Sequence, residues 1–190
     1  MPRKAVTNRE EIIEGAFRLI RREGHEALTA RRLAAVLGCS TQPIMYQFPN
    51  LAELRELAYR RADAYHTARI LSGSDLLEVA LNYIRFASEE APLFRFLFQS
   101  GHFDGASIAD MVRMPEAEGI LRAVSNEFGL NGEDAANVLE TLFVTVHGYA
   151  SLIANNAMEY DPDAVKNALV AVAEGLMKKG EQNDKTLSKK

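Results

Sequence analysis

Apolar positions recur at three- and four-residue steps from Ile12 to Leu176 and nowhere alternate, so the pattern predicts helices throughout and no strand. Ile12, Ile13, Ala16, Phe17 and Ile20 form the first stripe. Thr7-Asn8-Arg9-Glu10 opens it as a capping box and Gly24 closes it. Leu33, Ala34 and Leu37 form a second, shorter stripe. Thr29 is placed to cap that helix, Leu28 to staple onto Leu33, and Gly38 to end it in the left-handed conformation. A third short helix follows at once. Ser40 stands at its cap, Cys39 and Ile44 repeat the stapling spacing, and Pro43 falls in the first turn, where a missing N–H costs little. Pro49 ends it, and Asn50 with Glu53 forms a capping box for a fourth helix from Leu51 to about Tyr65.

The third helix has two faces. A rotation of about 100° per residue puts Ile44 and Phe48 on one side, aimed at a small core with Leu33, Leu37 and Phe17, and leaves Thr41, Gln42, Met45 and Tyr46 on another arc. An outward arc is ordinarily a solvated surface. Here two large adjacent side chains, Met45 and Tyr46, and the arginines Arg31 and Arg32 on the preceding helix favour a binding face. Two short helices joined by a tight turn fit the major groove of DNA, which admits one helix and offers a distinct donor and acceptor pattern for each base pair.

Beyond residue 66 the chain reads as helix after helix. The segment 75–91 is apolar on more than one side (Leu77, Ala80, Leu81 and Ile84, with Tyr83 and Phe86 elsewhere), the mark of a helix buried within its domain. Pro92 starts a short aromatic-rich helix, 101–105 is a loop, and 115–128 is one helix. Asn131, Glu133 and Asp134 open a long helix to about Asn156. Asp161-Pro162 caps a last one with Val165, Ala168, Leu169, Val172 and Leu176 as its stripe, followed by a polar tail from Lys178. In the long helix Thr141, Thr145, Gly148, Ser151, Leu152 and Asn155 line a groove of small residues, and a glycine there costs about 1 kcal/mol relative to alanine, so Gly148 calls for close packing.

Charge divides the chain. Residues 1–66 carry 11 Lys and Arg against 8 Asp and Glu, a balance of +3, and residues 67–190 carry 11 against 18, a balance of −7. A basic head on an acidic body suits a phosphate-binding module joined to a separate domain, and Arg3 and Lys4 can extend it as an arm. No apolar signal segment follows the basic start, no apolar run approaches a membrane span, and one cysteine excludes a disulfide framework, so a cytoplasmic protein is expected. Cys39 occupies an apolar turn position suited to packing rather than redox sensing. His25, His66, His102 and His147 have no metal-ligand spacing. There is no Gly-rich phosphate loop, nucleophile elbow or Cys–His pairing, so no catalytic residue, metal or cofactor is expected.

Residues 7–62 resemble the DNA-binding domain of the tetracycline-repressor (TetR) family of bacterial transcriptional regulators. The pattern is a helix ending at Gly24, then Leu28-Thr29-x-Arg31-x-Leu33-Ala34-x-x-Leu37-Gly38-x-Ser40, then a recognition helix closing in Tyr46-Gln47-Phe48-Pro49, then Leu54. The resemblance implies an all-α protein. Its helix-turn-helix domain is 1–50, a fourth helix at 51–66 links the domains, an effector-binding and dimerisation domain spans 67–180, and 181–190 is a disordered tail. It assigns Arg31, Thr41, Gln42, Pro43 and Met45 to bases, Tyr46 and Gln47 to phosphates or the groove edge, and Thr29 to a phosphate. Met45 stands where the family usually has tyrosine, Gln47 where histidine is common, and Leu51 where a lysine often meets a phosphate.

The string Val146-His147-Gly148-Tyr149-Ala150-Ser151-Leu152 resembles the His-Gly (WHG-type) motif of one subgroup of the family's C-terminal domains. The family's last two helices pair with a second copy, which implies a homodimer through 133–156 and 163–178 and a palindromic double-stranded DNA operator with half-sites about 34–36 Å, or a multiple of that, apart. Repression relieved by a small effector is the implied activity, and the aromatic residues of the body point to a largely apolar or aromatic one. Phe86, Phe94, Phe98, Phe103, Met111, Met114, Phe143 and Tyr149 are candidate cavity residues, with Arg95, His102, Arg113 and His147 as polar anchors; aromatic residues at helical spacing are more often ordinary core. The alternative class is a helical interaction module that does not bind DNA specifically.

Overall fold

The computed structural model describes residues 8–101 and 107–187, and among them every regular element is helical. The α-helices are α1 (Arg9–Glu23), α2 (Ala30–Leu37), α3 (Thr41–Gln47), α4 (Leu51–Ile70), α5 (Leu76–Glu89), α6 (Ala91–Gln99), α7 (Ile108–Met111), α8 (Glu118–Phe128), α9 (Gly132–Ala154) and α10 (Pro162–Leu187). Two compact units result. The first takes the described residues up to Arg69 together with those from Glu89 to Gly101; the second takes Ile70–Ser88 and the described residues from Ser107 on.

In the first unit α1 buries Ile12, Ala16, Phe17 and Ile20 as its stripe predicts, and Leu19 with them, while Ile13 is only half-buried. α2 and α1 approach closely at Gly15, where a Cβ would come within 2.6 Å of Leu37 Cδ2. Leu54, Ala58 and Ala62 of α4 and Leu93, Phe94, Phe96 and Leu97 of α6 complete the core. Phe17 meets Tyr65 edge-on at 5.6 Å, and the Arg61 guanidinium covers its other side at 4.6 Å. A polar centre ties the same helices together. Glu90, at the N-cap of α6, is 6% exposed and accepts a two-pronged bond from Arg21 of α1, whose Nε donates at 2.8 Å. The Tyr65 hydroxyl donates to Glu90 at 3.2 Å and Arg69 Nη1 donates at 3.4 Å, both from α4.

The domain division therefore differs from the expected one at residue 66. α4 runs on to Ile70, and α6 packs on α1 and belongs to the first unit. The buried carboxylate, whose cationic partners lie far off in sequence, is the physical reason.

The second unit centres on Val112, Val124, Ala135 and Leu139, with Leu76, Ile120, Leu121, Phe128 and Leu142 against them. The expected single helix over 115–128 is a 3-10 turn, Pro115–Ala117, followed by α8. α7 was not predicted; Ser107 and Asp110 close a reciprocal capping box around it. Asp161 caps α10 as expected, its Oδ1 accepting from Asp163 N at 3.0 Å and Ala164 N at 3.1 Å. Val165 and Leu169 are buried, and Val172 and Leu176 partly. α10 then runs to Leu187, through most of the segment expected to be disordered. Past Gly180 the sequence has no glycine or proline to stop a helix already nucleated, and propagation costs little. No described helix is long and apolar enough to cross a membrane.

His66 on α4 is 5% exposed and meets Phe98 edge-on at 5.2 Å. Burial lowers its pKa from 6.5 to about 4. The folded protein thus keeps this ring neutral, while the unfolded chain takes up a proton once the pH falls below 6.5. The stability His66 contributes is complete above that value and is lost on acidification toward pH 4, on the order of 3 kcal/mol. Urea titrations from pH 7 to 5 should give falling midpoints for the native chain and a shallower fall for His66→Leu; equal slopes would contradict the assignment.

Candidate nucleic-acid interface

α2 and α3 are set by local signals. The Thr29 hydroxyl accepts from Arg32 N at 3.3 Å, and Gly38 takes φ +66 and ψ +30, the left-handed conformation that only glycine adopts without strain. The Gly38 and Cys39 N–H groups donate back to Ala35 and Ala34, so the turn satisfies the end of α2 and redirects the chain. Cys39 is half-buried. Ser40 sits at the N-cap of α3 but its side chain makes no capping bond. Asn50 Oδ1 accepts from Ala52 N at 2.9 Å, while Glu53 bonds Arg9 rather than completing the expected box.

Ile44 and Phe48 are fully buried and fix how α3 is turned. The opposite arc is open: Thr41 and Gln42 are exposed, Met45 is 40% exposed and Tyr46 85%. Pro43 and Gln47 are half-buried at its edges, and Thr29 and Arg31 are exposed on the α2 side. The eight predicted residues thus fall on α3 and the start of α2. Arg32 is drawn away from this surface by Glu23, whose carboxyl is held below its usual pKa first by the Arg22 hydrogen bond and then by the Arg32 charge.

Sequence reasoning missed Arg9. Its Nη1 donates to the Gln47 carbonyl at 3.0 Å, its Nη2 pairs with Glu53, and its guanidinium lies 4.1 Å over the Phe48 ring. The local signal was weak, because an arginine in the first turn of a helix usually reads as solvated.

The candidate effector residues separate. Phe94 and Phe98 lie in the first unit, 4.8 Å apart, with Phe94 fully buried. Phe86, Met111, Phe143 and His147 lie in the second, with Phe86 fully buried. Phe143 stacks on His147 at 5.6 Å, and Tyr83, which the sequence did not single out, places its Oη 2.9 Å from His147 Nδ1 and its ring 6.3 Å from Phe143. Burial lowers the His147 pKa, so this half-buried ring is neutral at pH 7. Arg113 is engaged by Glu133 at 2.8 Å and Glu140 at 2.7 Å. His102 and Phe103, like Arg3, Lys4 and Thr7, lie outside the described residues. Among the described residues no group of three or more His, Cys, Asp or Glu side chains is arranged to hold a metal ion.

Residues 76–173 match the family model described as the tetracyclin repressor-like C-terminal domain. Over 76 residues the chain is 40% identical to the HTH-type transcriptional repressor AcnR of Corynebacterium efficiens, covering 40% of each chain. The corresponding repressor of Corynebacterium glutamicum is 38% identical over 76 residues, again 40% of each, and that of Corynebacterium diphtheriae 38% over 71 residues, 37% of each. The chain thus spans about two fifths of the length of the curated relatives it matches.

The Thr29 cap gives a direct test of the interface scaffold. Thr29→Ala should lower stability by about 1 kcal/mol through loss of the cap, and Thr29→Asn should restore most of it. Urea midpoints at fixed slope measure both; an alanine variant as stable as the parent would show that the hydroxyl does not hold α2.

Proposed function

This chain belongs to the tetracycline-repressor family, and from that premise we propose that it is a sequence-specific transcriptional regulator of double-stranded DNA, a repressor released from a palindromic operator by a small effector. The observation that carries the reading is the open arc of α3, with Tyr46 85% exposed above two fully buried anchors. Its side chains have the chemistry for base edges. Gln42 offers a donor and an acceptor, as adenine requires, Arg31 suits the two acceptors of guanine, and Met45 with the Pro43 ring offers apolar contact to a thymine methyl. The Thr29 hydroxyl, which accepts from Arg32 N, keeps its own hydrogen to donate to a phosphate, and Tyr46 and Gln47 lie at the groove edge. Repression is supported by what the relatives are called, and a cytoplasmic location goes with the role.

Two copies are needed to read a palindrome, and α9 and α10 carry the surface for it. Val144, Leu152, Val170 and Met177 are exposed. Between them a Cβ added to Gly148 or Gly175 meets nothing within 4 Å, so neither glycine serves packing inside the protomer. Three polar groups of the stripe are turned back on their own helix: Thr141, Thr145 and Asn155 donate to the carbonyls four residues earlier. The threonine methyl groups and the bare backbone at Gly148 are suited to close approach by the same helices of a second copy. In this scheme a small, largely apolar effector contacts Phe143 and His147 and shifts the dimer between two spacings of its reading heads, by no more than its difference in affinity for the two.

Selection of bound duplexes from random sequence should recover a palindrome, and the Gln42→Ala, Tyr46→Ala double variant should lose that selectivity while its melting temperature stays within a degree or two, since both side chains are exposed. Recovery of no shared sequence by the native chain would end the DNA-binding reading. Gly148→Leu should convert the dimer to monomer in sedimentation at micromolar concentration while raising protomer helicity; a dimer that persists would place the contact elsewhere.

A further inference from the structure

We infer that Arg9 is a positioning residue for α3: it fixes the C-terminal end of the reading helix so that Tyr46 and Gln42 meet the bases in one register. The inference rests on the DNA-binding reading and adds to it a determinant of specificity that does not itself contact DNA. α3 has seven residues, too short to be stable as an isolated helix, and its Ser40 cap is not closed by a side-chain bond. Its orientation therefore comes from outside. Ile44 and Phe48, both fully buried, set its rotation, and the Gly38–Cys39 turn ties its start to α2, so a further constraint acts at its C-terminal end.

Arg9 supplies that constraint through three contacts that converge on one point. Nη1 donates at 3.0 Å to the carbonyl of Gln47, one of the terminal acceptors that α3 itself leaves unsatisfied. Nη2 pairs with Glu53 in the first turn of α4, and the flat face of the guanidinium lies over Phe48 at 4.1 Å. A positive charge at a helix C-terminus is also favourable in its own right. The first residue of α1 thereby joins the end of α3 to the start of α4. Only a planar fork makes all three contacts together; a lysine ammonium is a single point of charge and cannot bond both oxygens while lying flat on a ring.

The rival role for an arginine here is a direct phosphate contact, and the two differ in what they do to specificity. The test uses the full-length chain, the palindrome recovered by selection, and a random duplex of equal length, with affinities measured by fluorescence anisotropy over a salt series. If Arg9 positions α3, Arg9→Ala and Arg9→Lys should both lower the ratio of specific to random binding by about tenfold, comparable to losing one well-made base contact, with the salt slope unchanged. Glu53→Ala should lower the ratio in the same direction, although removing a carboxylate near DNA would by electrostatics alone raise affinity for every duplex. If Arg9 is a phosphate ligand, Arg9→Lys should bind as the parent does, and Arg9→Ala should weaken both duplexes alike and shallow the slope by about 0.9. That pattern, or a ratio unchanged in all three variants, overturns the inference. Should Arg9→Ala fail to fold, as judged by circular dichroism, Arg9→Lys and Glu53→Ala decide the matter. A native chain that prefers no sequence removes the DNA-binding reading and this inference with it.

Discussion

The first unit is organised around one buried negative charge. A carboxylate excluded from water is tolerated only if its lone pairs are taken up and its charge balanced, and Glu90 meets both needs with groups from two other helices. Its place at the start of α6 adds the favourable field of that helix's N-terminus. Since Arg21 belongs to α1 and Tyr65 and Arg69 to α4, α6 cannot leave the unit without stranding the charge. The dependence is asymmetric. Arg21 and Arg69 are substantially exposed and would remain solvated if the carboxylate were removed, whereas removing the arginines would leave Glu90 buried and uncompensated, a loss in the range of about 3–5 kcal/mol for such groups.

What was legible in the sequence was what is local. Thr29, Gly38 and Asp161 act on groups two to four residues away, so spacing alone announces them, and the 3.6-residue period announces an all-helical chain. The arc of Thr41, Gln42, Met45 and Tyr46 was legible for the same reason: once Ile44 and Phe48 point inward, the rotation of the others follows. Arg9 and Arg21 were not, because their partners lie 38, 44 and 69 residues on and nothing in a polar helix face marks one arginine among many. Glu53 shows the two kinds of signal in competition. Its spacing from Asn50 predicts a capping box, yet the side chain goes to a distant cation instead. Aromatic residues gave the weakest guidance: Phe86 and Phe94 turn out to be fully buried core, and Tyr83, the hydrogen-bond partner of His147, sits on a helix apolar on more than one side.

These observations bear on how a helix of seven residues can carry specificity. Its intrinsic helical stability is negligible, so its order is borrowed from α1, α2 and α4 through Ile44, Phe48 and the Arg9 contacts. The exposed residues of the arc, Thr41, Gln42, Met45 and Tyr46, are then not among the anchors. Exposed side chains on such an arc can change with little cost to folding, while the anchors beneath them cannot. Met45, which stands where the resemblance leads one to expect tyrosine, is at a position of this permissive kind.

α9 and α10 pose the opposite problem. They are long enough to be well formed, and they carry glycines that weaken them without any benefit inside the protomer. Each such glycine costs about 1 kcal/mol relative to alanine, and in the proposed dimer that loss is offset where a second copy approaches the backbone. Close backbone approach brings two helices into denser contact than branched side chains allow, and threonines whose hydroxyls are already bonded to their own helix bring methyl groups to that contact without burying an unsatisfied donor. A face built this way is poorly suited to water and well suited to its own image, and the same two-fold relation that would bury it would also present two reading helices to the two halves of a palindrome.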